Sequence, residues 1–499
     1  MRVDSPGRGV RPREIQGQRR RDWLCETGAA LLGTSAARML GAGGALLSPL
    51  LDATDASAEP LRQPSELVGP LIAGPATGAV WSGRSTALLT FGGTYPSPTL
   101  RARRGELFDL RFDNRLAEAT NIHWHGLAAP AEADGYPKDL VPPGGTRQYS
   151  FQISERAGTY WYHPHPDGRT AAQVYGGMAG FFIVEDDNER ALGLPTGEQD
   201  VALLLQDRRR TTDNSFAYAP TPMDLMSGYL GNTVLVNGTP DAELSLVATR
   251  YRFRLLNGSN ARIFHVTFGD NRAFAVIAGD GGLLERAVNT NALFLAPGER
   301  AEILVDFSRD PLGASVQLIS APFSVRGGGM GMGGSSSQGA SASLMRLVVG
   351  RAGPAPAALP TTLASIERLD PARAQVQRRF VMNMGMPPFP GAFTINDRSF
   401  DASRVDVRAQ RGVLEVWEIV NVSTEPHPFH VHATQFQVVS RSSGPLSPHE
   451  LGLKDTVLVW PGETVRIAIR FDAHAGLYVL HCHNLEHEDA GMMLNLEVL

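Results

Sequence analysis

The chemistry of this chain gathers around one cysteine. Cys482 stands in the run His481-Cys482-His483, followed by His487 and Met492. A thiolate with two imidazoles and a weak thioether is a soft trigonal donor set. It selects copper and makes a blue electron-transfer site. His427, in His427-Pro428-Phe429-His430-Val431-His432, is the natural remote imidazole, so the set is His427, Cys482 and His487 with Met492 axial. The other cysteine, Cys25, falls in an N-terminal leader. A lone thiol crowded by histidines reads as a metal-bound or reactive thiolate rather than as packing.

The remaining histidines repeat one device. Ten of the 13 fall in four tight clusters, which contain His123-Trp124-His125, His163-Pro164-His165, His430-Val431-His432 and His481-Cys482-His483. Alternate residues of a strand point the same way, so His-x-His presents two imidazoles on one face. His481 and His483 flank Cys482 and must face the opposite side. If they hold other metals, an electron arriving at Cys482 reaches them through a few covalent bonds. That suits a one-electron donor site feeding a multi-electron acceptor.

Strands must position these pairs. Leu107–Phe112, Val413–Val420 and Val465–Phe471 alternate apolar with polar residues, and long helical patterns are scarce, so the fold class is all-β sandwich or barrel. Gly158-Thr159-Tyr160-Trp161-Tyr162-His163-Pro164-His165 is echoed by Gly476-Leu477-Tyr478-Val479-Leu480-His481-Cys482-His483. Each copy has a second histidine pair upstream, which points to duplicated domains. Pro164 stands where the second copy has Cys482, so only the later copy can bind metal through a thiolate. Boundaries fall near Asp187 and Gly353, giving units 59–187, 188–353 and 354–499 after a leader over 1–58. The middle unit lacks metal motifs and reads as a third sandwich. Arg326–Ser343 is a Gly/Ser/Met segment read as a flexible loop.

The leader is basic, with Arg11, Arg13, Arg19, Arg20 and Arg21. It turns mildly apolar from Gly28 to Leu47, interrupted by Arg38, and offers Ala56-Ser57-Ala58 for cleavage. Arg20-Arg21 before Trp23 and Leu24 resembles a twin-arginine export signal, which predicts a periplasmic or otherwise exported protein. The glycine-rich run is a poor transmembrane span, so no stable membrane insertion is expected. With net charge -5 and 19% charged residues, nothing calls for nucleic acid as a partner, and a monomer is expected.

The motifs His-Trp-His-Gly, Tyr-His-Pro-His, His-Pro-Phe-His-Val-His and His-Cys-His-Asn-Leu-Glu-His-Glu-Asp-Ala-Gly-Met, in this order, resemble the multicopper oxidase family over nearly the whole chain after the leader. The nearest flavour is that of bacterial three-domain laccases and copper-efflux oxidases. The resemblance implies three cupredoxin-like Greek-key β-sandwiches and four coppers. A type 1 copper takes His427, Cys482 and His487 with Met492 axial, and a type 2 copper takes His123 and His430. A type 3 pair takes His125, His163 and His483 on one ion, and His165, His432 and His481 on the other. Asp134 resembles the acid that tunes the cluster and relays protons, and Glu488 the proton donor for O–O cleavage. The implied reaction couples four one-electron oxidations to reduction of O2 to two waters.

The reductant divides two readings: a laccase taking phenols or aromatic amines beside His427, and a cuprous oxidase taking a metal ion. The segment Val422-Ser423-Thr424-Glu425-Pro426 lacks the methionine of copper-efflux oxidases, and the chain holds only 13 methionines. That favours the laccase, with Glu425 able to accept a phenol proton. Met330 and Met332 in the glycine loop, and Met382, Met384 and Met386, are soft sulfurs able to capture Cu(I), and the second set is read first as strand and turn packing. His265, Trp124 and Tyr160 are read as structural, and His449 and His474 as solvent-exposed loop residues. Two alternatives fit poorly: a copper-free structural relative predicts broken motifs, and a two-domain nitrite reductase needs fewer histidine pairs.

Overall fold

A computed structural model describes residues 58–325, 337–387, 389 and 391–499. The leader apart from Ala58, Cys25, Met330 and Met332 lie outside the described residues. Among these, no helix is long and apolar enough to cross a membrane. Six sheets form three pairs, each closing over its own apolar core, as expected of a chain rich in period-two strands.

In the first pair, one sheet runs Thr86–Phe91, Leu71–Gly78, Leu107–Asn114 and Thr146–Gln152. The facing sheet runs Leu100–Arg103, Gly180–Glu185, β2 (Gly158–His163) and β1 (His123–His125). In the third pair, the sheet carrying histidines runs Val407–Ala409, Met493–Val498, β5 (Gly476–Cys482), β3 (His427–Val431) and β4 (Thr456–Val459). The sequence echo is therefore a topological one. In both sheets a short parallel edge strand is followed by antiparallel strands, and the strand paired next to β2 or β5 carries upstream histidines: β1 closes the first sheet, whereas β3 is followed by β4 in the third. Register sets imidazoles side by side: His123 lies opposite His163, and His430 opposite His481.

The middle pair has seven and six strands around a core of Phe253, Leu255, Phe264, Val266, Ile303 and Leu318, among others. Glu59–Pro60 adds in parallel to Ala242–Ala248 at the edge of its six-stranded sheet, so the segment entering the first sandwich straps onto the middle one. Three short helices matter to the site: α1 (Thr170–Gly176), α2 (Pro222–Ser227) and α3 (Leu485–Asp489). Asp489 at the end of α3 accepts from the N–H groups of Thr170 and Ala171 at 3.0 and 2.9 Å, docking the third sandwich on the start of α1 in the first.

Candidate metal centre

β5 ends on Cys482, and Asn484 caps α3 by accepting from the Glu486 N–H at 3.2 Å. The helix swings His487 back until its Nδ1 lies 3.6 Å from Cys482 Sγ. His427, opening β3, places its Nδ1 3.3 Å from the same sulfur and 3.1 Å from His487 Nδ1. Gly491, at φ +99°, turns the chain so that the Cys482 N–H donates to the Met492 carbonyl at 3.0 Å. Met492 is then buried in the same core as Cys482.

Hydrogen bonds fix which nitrogens face the sulfur. His487 Nε2–H donates to the Met226 carbonyl on α2 at 2.9 Å. The Ser423 hydroxyl donates to Asn421 Oδ1 at 2.8 Å, so at 2.7 Å it accepts from His427 Nε2–H. Both Nδ1 lone pairs therefore converge on the sulfur, and the one proton among the three atoms is that of the thiol. One S–H cannot satisfy two buried imidazole nitrogens, whereas a cation that replaces it meets all three atoms. Burial pushes the Cys482 thiol up, holds His427 well below the ordinary histidine range and brings His487 down to about 4. Neutral imidazoles and a thiol that ionises on metal binding fit a soft cation.

The second nest is built from both echoed sheets. His123 Nε2 and His430 Nε2 lie 3.4 Å apart, and each residue donates its Nδ1–H to a carbonyl, that of Asp134 at 2.8 Å and of Asp455 at 2.9 Å. His481 Nε2 lies 3.2 Å from His165 Nε2 and 3.1 Å from His432 Nε2. His125 Nδ1 lies 3.4 Å from His163 Nε2, and the His483 ring is 4.9 and 5.3 Å from those two rings, centroid to centroid. Both nitrogens of buried His483 lack a hydrogen-bond partner, as does His165 Nδ1. Burial, and after it neighbouring imidazoles, hold His123, His125, His430, His432 and His483 well below the ordinary range. Burial brings His163 to about 3 and His165 to about 4. Neutral lone pairs facing one another in a dry pocket fit a cluster of cations.

Carboxylates sit at defined places. Asp134 Oδ2 accepts from His432 Nδ1–H at 2.7 Å, while Oδ1 has no partner and burial raises the carboxyl well above its usual range. Glu488 lies 3.1 Å from His481 Nδ1 and 3.6 Å from His165 Nε2, with both oxygens buried and outside hydrogen-bond geometry. Burial opposes its ionisation, but the His165 and His481 imidazoles hold it low. Glu425 is half-buried near the first nest, and burial pushes its carboxyl up to about 7.

Five groups around the nests escape a reading by residue type. Asp455 accepts from His125 Nε2–H at 2.9 Å, and Thr456 Oγ1 lies 3.1 Å from both His125 Nε2 and His430 Nδ1. The only sequence signal was an acid next to a lysine at the head of a strand-like run. Arg300 of the middle sandwich grips Asp455 through two nitrogens at 2.8 and 2.6 Å. Ser423 and the Met226 carbonyl carried no signal.

One expectation fails: His449 is not solvent-exposed but buried, 3.6 Å from Glu299, because Pro448–Leu451 packs against Gly279 of the middle sandwich. His474 is half-buried. His265 stacks on Phe294 with centroids 4.2 Å apart, and Trp124 and Tyr160 are buried in the first core. Met382 is buried in the third core whereas Met386 is 68% exposed, so these methionines present no common sulfur face.

Three family models, each described as multicopper oxidase, match residues 76–189, 210–316 and 368–499. The chain is 32% identical to the multicopper oxidase mco of Staphylococcus aureus over 84% of its length and 85% of that protein. It is 31% identical to a laccase of Bacillus stratosphericus over 83% of its length and 91% of that protein. A crystal structure of the McoA multicopper oxidase from Aquifex aeolicus superposes with TM-score 0.80 at 36% identity, covering 89% of this chain and 99% of that one.

Proposed function

The chain belongs to the multicopper oxidase family, and on that premise we propose that it oxidises phenols or similar aromatic reductants with the copper ligands and acids set out below. It is a copper-dependent oxidoreductase that uses O2 as acceptor. Four coppers supply one-electron acceptance at the cysteine nest and reduction of O2 to two waters at the eight-histidine nest. His427, Cys482 and His487 with Met492 hold the first ion. His123 and His430 hold a second, His125, His163 and His483 a third, and His165, His432 and His481 a fourth. The observation that carries this assignment is the tautomer pattern, which turns unprotonated ring nitrogens inward at both nests.

The chain's own residues do the rest. Cys482 stands in one nest while its covalent neighbours His481 and His483 stand in the other, so one stretch of backbone joins electron entry to O2. Reduction of one O2 consumes four protons. Asp134, raised by burial and with Oδ1 free, holds one at that atom beside His432. Glu488, against His165 and His481, is placed to pass another inward. At the entry side a phenol loses an electron and a proton. Glu425, poised at about 7, accepts the proton. The scattered methionines favour this reductant over Cu(I). We also propose, from Arg20-Arg21 and the run that follows, twin-arginine export with a cut near Ala58. N-terminal sequencing of the secreted protein tests it.

Oxygen uptake by the copper-loaded protein tests the choice of reductant. A phenol turning over faster than Cu(I) is expected. Faster Cu(I) turnover that is lost in the Met382→Leu, Met384→Leu, Met386→Leu triple variant contradicts it.

A further inference from the structure

The middle unit supplies no metal ligand in this assignment, yet it reaches both nests: the Met226 carbonyl holds His487 at the first, and Arg300 stands behind the second. Of the histidines around the second nest whose outer nitrogen has a partner, His123, His163, His430, His432 and His481 all give Nδ1–H to an oxygen: those of Asp134, Pro164, Asp455, Asp134 again and Cys482. Each therefore turns Nε2 inward. His125 is reversed. Its Nε2 faces Asp455 Oδ1 at 2.9 Å and its Nδ1 faces His163 Nε2 at 3.4 Å. Nothing in the His-Trp-His motif dictates the reversal, because both ring nitrogens are available in any neutral imidazole. The acceptor that imposes it must itself be held.

Asp455 is held by Arg300. The guanidinium donates from Nη1 to Oδ1 and from Nη2 to Oδ2, and the Thr456 hydroxyl donates to Oδ1 at 2.9 Å. With both carboxylate oxygens receiving protons, Oδ1 can only accept from His125. Arg300 is anchored in turn by the carbonyls of Thr159, Gly298 and Asp280 at about 3.0 Å each. Asp280 meets Lys454, the residue before Asp455, at 2.9 Å. Every one of these side chains is fully buried. The backbone is shaped to let the arginine in. Gly126, next to His125 and at φ +91°, leaves the space where a Cβ would stand 2.5 Å from Arg300 Nη2 and 2.7 Å from Asp455 Oδ2.

We propose that Arg300 and Asp455 are positioning residues which lock His125 in the Nε2–H tautomer, so that the middle sandwich makes His125 Nδ1 the ligating atom of the second nest. The inference rests on the copper assignment above, but its first test does not. In copper-free protein labelled with ¹⁵N-histidine, long-range ¹H–¹⁵N spectra report each ring's tautomer directly, and the His125→Gln variant identifies the His125 signal. The expected result is Nε2–H for His125 against Nδ1–H for His123, His163, His430, His432 and His481. A His125 ring found as Nδ1–H overturns the proposal while leaving the copper assignment intact.

The variant Asp455→Asn carries the test to metal binding. An amide cannot satisfy Arg300 with both of its atoms, so one N–H turns toward His125 Nε2 and flips the ring. The expected loss is about 10–100-fold in affinity for the weakest-held copper, measured by chelator competition, with the thiolate absorption of the Cys482 site unchanged. Glu299→Gln is the control. It disturbs the same buried network through Lys454, at 3.0 Å, without touching Asp455. If Glu299→Gln lost the same copper for the same fall in melting temperature, the role would be structural support and the proposal would fail. Arg300→Lys keeps the charge but cannot grip both oxygens, and is expected to give a mixture of His125 tautomers. A single unchanged tautomer there removes Arg300 from the device.

Discussion

Asp134→Asn separates holding a proton from holding a histidine. Asp134 does both: Oδ2 accepts from His432 Nδ1–H at 2.7 Å, and Oδ1, partnerless, carries the proton that burial favours. An asparagine keeps the shape and can keep its carbonyl oxygen toward His432, so copper content should match the wild type. It cannot deliver a proton, and turnover with O2 should fall by about 10²–10⁴, the usual contribution of a placed general acid. Asp134→Ala removes the acceptor as well. It leaves His432 Nδ1–H buried and unpaired at a cost of about 1–3 kcal/mol and should lose copper.

The pH dependence has a fixed sign. A carboxyl whose folded pKa is raised binds its proton more tightly folded than unfolded. Its contribution to stability is complete below the ordinary aspartate pKa and is lost as pH rises toward the raised folded value. Melting of copper-free Asp134→Asn should therefore gain on the wild type as pH rises from acid to neutral. The assay is steady-state oxygen uptake, with copper per chain and apo melting curves alongside. Wild-type turnover in Asp134→Asn, or copper loss equal to that of Asp134→Ala, refutes the reasoning.

Three further outcomes follow from named contacts. Glu425→Gln should abolish the rise of phenol oxidation as pH passes through about 7, lowering the rate by up to about 10² above that pH, while an electron donor that releases no proton is unaffected. Ser423→Ala removes the acceptor of His427 Nε2–H and should cost about 1–3 kcal/mol in thermal unfolding, with faster copper loss from the Cys482 site to a chelator. Asp489→Ala unmakes the two bonds to the start of α1 and should lower stability in urea by about 1–2 kcal/mol, with little change in the visible spectrum.

Ligand chemistry is legible in sequence because it needs particular side chains at particular spacings. His123, His125, His163, His165, His427, His430, His432, His481, Cys482, His483 and His487 were all named from type and spacing, and the sheets bring them into two nests. The echo around Gly158 and Gly476 was legible for the same reason, since two copies of a strand pair need the same alternation. What orients those ligands was not. The Met226 carbonyl belongs to no residue type, and Ser423 is one hydroxyl in a polar turn. Arg300 and Asp455 meet only once two sandwiches have closed on each other. His449 was misplaced because its loop reads as polar, while the face that buries it comes from strand Phe274–Gly279 in another sandwich.

The central claim is that one short stretch of chain, His481 to His483, serves both nests. The most direct measurement is the visible spectrum together with copper per chain, for wild type and Cys482→Ser. An intense thiolate-to-copper charge-transfer band is expected in the wild type. In Cys482→Ser the band should vanish, with one copper fewer per chain and the eight-histidine nest still loaded. A band that persists in Cys482→Ser, or a fully copper-loaded wild type without one, contradicts it.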